Sequence, residues 1–133
     1  MTSLITYGTF DLFHFGHVEL LRRMSDLCDH LTVACSTDEF NEIKNKSSIV
    51  SYEHRCQVLK SCRYVDDVIP EISWDQKKTD IVDLQIDIFC MGNDWAGEFD
   101  FLNSLATVIY LPRTKGVSSS EIKQQVLTRG TGF

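Results

Sequence analysis

Two histidines, His14 and His17, stand three positions apart around Phe15 and Gly16 in the stretch TYGTFDLFHFGHVELL, residues 6–21. An apolar, strand-like run precedes them and a helix-like run follows. If the helix begins between them, the two imidazoles lie one turn apart and point to the same place. A helix start offers unpaired N–H groups and the positive end of the dipole, which suit a phosphate chain. Gly8 lets the backbone turn closely under a ligand, with the amides of Thr9 and Phe10 facing a phosphate, and Gly16 lets the ligand approach the helix. Two imidazoles there donate hydrogen bonds to phosphate oxygens and stabilise charge that develops in phosphoryl transfer. Neither has to act as a nucleophile. The plain alternative is a turn with two solvated histidines. A metal pair is the weaker option, because no third ligand stands close by.

A second anion-binding pattern lies near the end, in RTKGVSSSEI. Arg113 and Lys115 supply cations, Gly116 supplies freedom, and Ser118, Ser119 and Ser120 place hydroxyls at a helix start. Ser118 and Glu121 have the spacing of a capping box. An ordinary capped helix explains those two residues but not the Arg–Thr–Lys–Gly run before them.

The elements that position these residues alternate. LITYGTF, HLTVACST, VDDVI (ended by Pro70), DIFCMG and TVIYLP read as strands. The runs after His17, SYEHRCQVLKSC with a possible cap at Ser51, KKTDIVDLQI, EFDFLNSL and SSSEIKQQVL read as helices. NEIKNKSSIV has no clean period and reads as a loop or frayed helix, and residues 127–133 read as a loose tail. This alternation predicts an α/β fold, a five-stranded parallel sheet with helices on both faces. Ligands of such sheets bind at the carboxyl ends of the strands. YGTFDLFHFGH, MGNDW and PRTKGVSSS all fall there.

Composition narrows the function classes. The net charge of −6 lacks the basic face of a general nucleic-acid binder, but a small anionic ligand needs only a few local cations. No apolar run is long enough to cross a bilayer, and MTSLITYGTF lacks the features of a signal peptide. A cytoplasmic location is the default expectation. The five cysteines, Cys28, Cys35, Cys56, Cys62 and Cys90, are odd in number and unpaired in spacing, which favours buried reduced thiols.

YGTFDLFHFGH carries the HxGH signature of the nucleotidyltransferases, and RTKGVSSS resembles their second signature, RTxGxSTT. STDEFN, SYEHR, RYVDDVIPE, WDQKKTDI and GNDWAGEFDFL narrow the resemblance to the small bacterial cytidylyltransferases that use glycerol 3-phosphate. It runs from Ile5 to about Lys123. Asn93 stands where that family's GDDW has an aspartate, and Ser119 and Ser120 stand where threonines are common.

The resemblance implies one Rossmann-like domain over residues 1–133, a homodimer, and transfer of a cytidylyl group from CTP to sn-glycerol 3-phosphate. The products are CDP-glycerol and pyrophosphate, and Mg²⁺ accompanies the CTP phosphates. It also implies the roles. His14, His17, Lys44 and Arg113 form the catalytic set. Thr9, Phe10, Gly16, Lys46, Gly92, Thr114, Ser118, Ser119 and Ser120 join them around the nucleotide, with Asp11 and Asp94 near it or its metal. Lys44, Lys77 and Arg55 hold the acceptor. Arg63 and Asp66 serve structure or a dimer interface. The alternatives are solvated lysines, a turn role for Asp11 and a capping role for Asp94. For the whole chain they are an adenylyltransferase, a transferase for another alcohol phosphate such as ethanolamine phosphate, or a silent nucleotide-binding module. The product suits teichoic acid or a glycerol-phosphate capsule, and the sequence does not choose between them.

Overall fold

Ser3–Gly8 forms strand β1, buried through Leu4, Ile5, Thr6 and Tyr7. Burial on both faces is what the centre of a parallel sheet requires. In this computed structural model, which describes residues 1–114 and 118–129, the chain then alternates. Helix α1 is Phe15–Ser25, β2 is His30–Ser36, α2 is Asp38–Ile43, α3 is Tyr52–Ser61 and β3 is Asp67–Glu71. Helix α4 is Gln76–Asp83, β4 is Ile88–Gly92, β5 is Thr107–Leu111 and α5 is Ser119–Arg129. All the strand pairings are parallel, in the order β3-β2-β1-β4-β5. This is a Rossmann-like α/β fold, as the alternation predicted.

Side chains alternate across the sheet, so each face builds its own core. Leu4, Leu31, Val33 and Cys90 pack with Leu21 and Met24 of α1 and with Cys56 and Leu59 of α3. Ile5, Tyr7, Ala34, Phe89 and Met91 pack on the other face with Ile81 of α4 and with Phe99 and Leu102. The cysteines are free thiols, with Cys35, Cys56 and Cys90 buried and Cys28 and Cys62 half-buried.

The strand order reverses at β1, because β2 and β3 lie on one side of it and β4 and β5 on the other. Pairing between β1 and β4 is confined to Leu4–Ile88 and Ile5–Phe89. Beyond it, Thr6–Gly8 and Met91–Gly92 flank an opening at the carboxyl edge. A crevice at this switch point is the ordinary ligand site of an open α/β sheet.

Three expectations change and a fourth, for NEIKNKSSIV, is sharpened. Strand β3 continues through Pro70 to Glu71, with Pro70 opposite Cys35. An edge strand tolerates proline because one row of its N–H groups has no ladder partner. EFDFLNSL does not form an α-helix. It contains one 3₁₀ turn, Asp100–Leu102, held by i to i−3 bonds such as Leu102 N–H to Phe99 O at 3.0 Å. NEIKNKSSIV begins inside α2, which Thr37 caps by accepting the Phe40 N–H. The tail expected from residue 127 starts as helix, since α5 runs to Arg129. The expectations for Lys115, Gly116 and residues 130–133 lie outside the described residues.

Gly8, which lines the cleft edge, also has a reason within the protein. A Cβ there would stand 2.8 Å from Cε2 of Phe10. The glycine makes room for a core side chain of its own loop. Phe10 is buried and takes a φ of +54°, so what it offers a ligand is backbone.

Candidate active site

The opening at the switch point widens into a cleft of about 560 Å³. The ends of β1, β4 and β5 reach it, as do the loops after α2 and β3 and the start of α5. Thr9, Phe10, Asp11, His14, Gly16, His17, Lys44, Lys46, Lys77, Gly92, Asp94, Arg113, Thr114, Ser118, Ser119 and Ser120 all line it. Arg55 does not.

The histidines are fixed by the helix they begin. His14 is the N-cap of α1, and its Nδ1 accepts the Gly16 N–H at 3.0 Å. His17 Nδ1 accepts the His14 N–H at 3.2 Å. The two rings stack with centroids 3.9 Å apart, and Phe13 and Phe10 pack on His17 at 5.4 Å. Each Nδ1 is an acceptor, so in the neutral ring the proton is on Nε2. Burial lowers the pKa of both. His17 falls to about 4, first by burial and then by the neighbouring His14, against a small pull from Asp11. His14 is lowered by burial, against Glu121. His14 Nε2 is buried and has no hydrogen-bond partner among the described residues. The pair therefore presents neutral N–H donors to the cleft at neutral pH.

Asp11 acts as a tie. Its carboxylate accepts the N–H groups of Ile49 at 2.8 Å and Val50 at 2.9 Å and pairs with Lys123 at 3.0 Å. Burial alone would raise its pKa, but these partners hold it below the usual range. The Ser119 hydroxyl donates to the Asp11 carbonyl. Residues 47–50 and the start of α5 are thus fastened to the loop that carries the histidines.

Arg55, expected at the acceptor, is 1% exposed, and each of its three nitrogens donates inside the protein. Nε donates to Val50 O at 2.9 Å, Nη1 to Thr9 O at 2.9 Å and Ser36 O at 2.8 Å, and Nη2 to Asp38 at 2.7 Å. It positions the ends of β1 and β2, and it lies buried outside the lining of the cleft. Asp66 has a backbone role, accepting the Leu31 N–H at 2.8 Å.

Lys44 and Lys77 meet at one corner around Glu71, a buried residue that the sequence reading passed over. Lys77 Nζ lies 3.1 Å from Glu71 Oε2, and Lys44 Nζ lies 3.9 Å from Oε1. Ser36 Oγ donates to Oε1 at 2.6 Å and accepts from Lys44 at 2.8 Å. Burial lowers the Lys44 pKa despite Glu71. Two ammonium groups share one carboxylate, which leaves this corner with one positive charge in surplus. The partner that the sequence reading sought for Lys77 outside the protein is in part Glu71. The signal for Glu71 was its place at a strand end, hidden by ending the strand at Pro70.

Opposite this corner, Arg113 pairs with Asp94 at 3.0 Å, with side chains 64% and 59% exposed. So exposed a pair is worth about 1 kcal/mol or less, and Arg113 is free to turn to a ligand. Ser118 caps α5 by accepting the Glu121 N–H at 3.0 Å. Lys46 is exposed at the rim. Among the described residues no three His, Cys, Asp or Glu side chains cluster as a metal cage. The three cleft carboxylates, Asp11, Glu71 and Asp94, are already paired with Lys or Arg side chains.

The profile of the cytidylyltransferase-like family matches residues 5–125. The chain is 56% identical over 126 residues to glycerol-3-phosphate cytidylyltransferase of Bacillus subtilis (strain 168), covering 95% of this chain and 98% of that protein. It is 56% identical to the Staphylococcus aureus (strain NCTC 8325 / PS 47) protein of the same name, covering 95% and 96%. Among solved structures the fold matches the lipopolysaccharide core biosynthesis protein from Thermoplasma volcanium GSS1. The TM-score is 0.77 at 22% identity, over 86% of this chain and 99% of that one, a likeness of fold alone.

Proposed function

The chain belongs to the cytidylyltransferase-like family, and from that premise we propose that its cleft joins CTP to glycerol 3-phosphate, giving CDP-glycerol and pyrophosphate. Identity of 56% across nearly the whole of two glycerol-3-phosphate cytidylyltransferases supports the substrates. A phosphate oxygen of the acceptor attacks the α-phosphorus of CTP. The bond from that phosphorus to the bridging oxygen of the β-phosphate breaks, and pyrophosphate leaves in line.

The observation that carries the site assignment is His14 Nε2, a buried donor without a partner among the described residues, on a ring that lines the cleft at a helix start. Leaving such a donor unpaired is unfavourable by about 1–3 kcal/mol, and a phosphate oxygen relieves this. His14 and His17 donate from Nε2 to the triphosphate as charge builds on it. Backbone of Thr9 and Phe10, the start of α1 and Lys46 hold the phosphates from one side. Arg113, Thr114 and Ser118–Ser120 hold them from the other. Gly92 and Asp94 border the base. Lys44, nearer the reacting centre, takes the acceptor's phosphate, and Lys77 borders the acceptor from its place beside Glu71. Mg²⁺ arriving with the nucleotide would supply charge neutralisation, and with Asp11 and Asp94 already paired it would be held chiefly by the nucleotide. No helix of the described residues is long and apolar enough to cross a membrane; the cytoplasmic location and the homodimer are proposed on the resemblance to glycerol-3-phosphate cytidylyltransferases alone.

Turnover with CTP and with ATP at equal concentrations, each against glycerol 3-phosphate and ethanolamine phosphate, tests the reading. CTP with glycerol 3-phosphate should dominate. Equal use of ATP would overturn the base assignment, and equal use of ethanolamine phosphate would overturn the acceptor assignment.

A further inference from the structure

Lys77 occupies a setting built for an organic cation. Its side chain is 4% exposed, and so is that of Glu71, its partner at 3.1 Å. Its Nζ lies 4.7 Å from the ring centroid of Tyr7, 5.3 Å from that of Phe99 and 5.6 Å from that of Trp74. Three aromatic rings around one ammonium, closed by a carboxylate, is the construction that recognises alkylammonium ligands. The box opens on the cleft, which Tyr7, Glu71, Trp74 and Phe99 all line. The local helix gives no reason for a cation here. Lys77 is the second residue of α4, where the helix dipole disfavours positive charge.

We propose that Lys77 sets the charge type of the acceptor, because its ammonium is a resident tenant of a Tyr7–Glu71–Trp74–Phe99 box that would otherwise take the ammonium group of an amino-alcohol phosphate. The inference rests on the cytidylyl-transfer reading. The tenant rejects a second cation by volume and by like charge. It also leaves the corner with a surplus positive charge, which suits an anionic polyol phosphate whose alcohol end carries no cation. Exclusion built from a repulsive element is an effective source of specificity.

Two variants separate the box from its tenant. Lys77→Ala empties the box, and Lys77→Met fills it without charge. The full chain is followed by circular dichroism and thermal unfolding in ethylammonium chloride, with potassium chloride at the same ionic strength as control. Ethylammonium should raise the Tm of Lys77→Ala by ~3 °C or more above the control. It should leave the wild type and Lys77→Met unmoved. At saturating CTP, the ratio of kcat/KM for glycerol 3-phosphate to that for ethanolamine phosphate should fall by about tenfold or more in Lys77→Ala alone. A Lys77→Ala protein with no ethylammonium-specific rise in Tm, or with an unchanged ratio, overturns the proposal. A Lys77→Ala chain that lacks native dichroism with and without ethylammonium also overturns it, since the box does not then reassemble around a cation. Failure of the wild type to use CTP with glycerol 3-phosphate overturns the reaction assignment instead. The Tm shift needs no turnover and judges the box by itself.

Discussion

His17 Nδ1 accepts the backbone N–H of His14 at 3.2 Å, so the two imidazoles are held together by the first turn of the helix they face the cleft from. With Gly16 donating to His14 Nδ1, the capping of α1 and the presentation of two Nε2–H donors are one arrangement. Helix capping fixes the tautomer, and the tautomer supplies the chemistry.

The two roles separate in His14→Asn. Asparagine is a good N-cap, and its Oδ1 can take the Gly16 N–H. It places no donor where His14 Nε2 stands. The expected result is a Tm within ~2 °C of wild type and a kcat lower by ~10²-fold or more, the scale of one lost preorganised donor. Parallel thermal unfolding and steady-state kinetics decide it, and near-normal turnover would remove His14 from the catalytic set.

Acid acts on the same pair. His17 has a folded pKa of about 4, below the ordinary value near 6.5. The unfolded chain therefore binds the proton first. The stability contributed by neutral His17 is fully present above about pH 6.5, falls as pH drops from there, and is gone once pH passes through about 4. The whole effect is about 3 kcal/mol. Chemical denaturation from pH 7.5 to 4 should show stability falling with pH, and the His17 ring resonance in NMR should not titrate above pH 5. A His17 midpoint near 6.5 would contradict the neutral-donor account.

Parallel strands bring their carboxyl ends to one edge, which is why loops distant in sequence, after β1, β4 and β5, were readable as parts of one site. Residue type alone could not separate ligands from ties. Arg55 and Asp11 have the chemistry of phosphate and metal partners, but burial and backbone bonds commit both to holding loops. Glu71 was hidden behind Pro70, because a proline reads as a strand end until the strand is known to lie at a sheet edge. Tyr7, Trp74 and Phe99 drew no assignment from the sequence, since nothing in their spacing reveals that they surround a lysine.

Arg55→Lys follows from that distinction. A single ammonium cannot span Val50 O, Thr9 O, Ser36 O and Asp38. Stability should fall by about 1–3 kcal/mol, the scale of a buried carbonyl left without its donor. The acceptor KM of the folded fraction should stay within about twofold of wild type, as for a residue that does not touch substrate. A large rise in KM with unchanged stability would return Arg55 to the acceptor site.

Lys44 should behave differently. It lies at the cleft with its Nζ on Ser36 Oγ and over the Phe40 ring at 4.6 Å. Contact with charge that shifts during transfer lowers kcat when removed, beyond any effect on KM. Lys44→Ala should therefore lose kcat at saturating CTP and acceptor by ~10-fold or more. A change confined to KM would place Lys44 in ground-state binding only.

The most direct test of the account is acceptor-dependent pyrophosphate release from CTP, measured for wild type and His14→Asn, with the nucleotide product identified by ³¹P NMR. The account predicts that wild type releases pyrophosphate only when glycerol 3-phosphate is present, in step with CDP-glycerol. It predicts that an equally stable His14→Asn is slower by ~10²-fold or more. Release without acceptor, or equal rates in the two proteins, would contradict it.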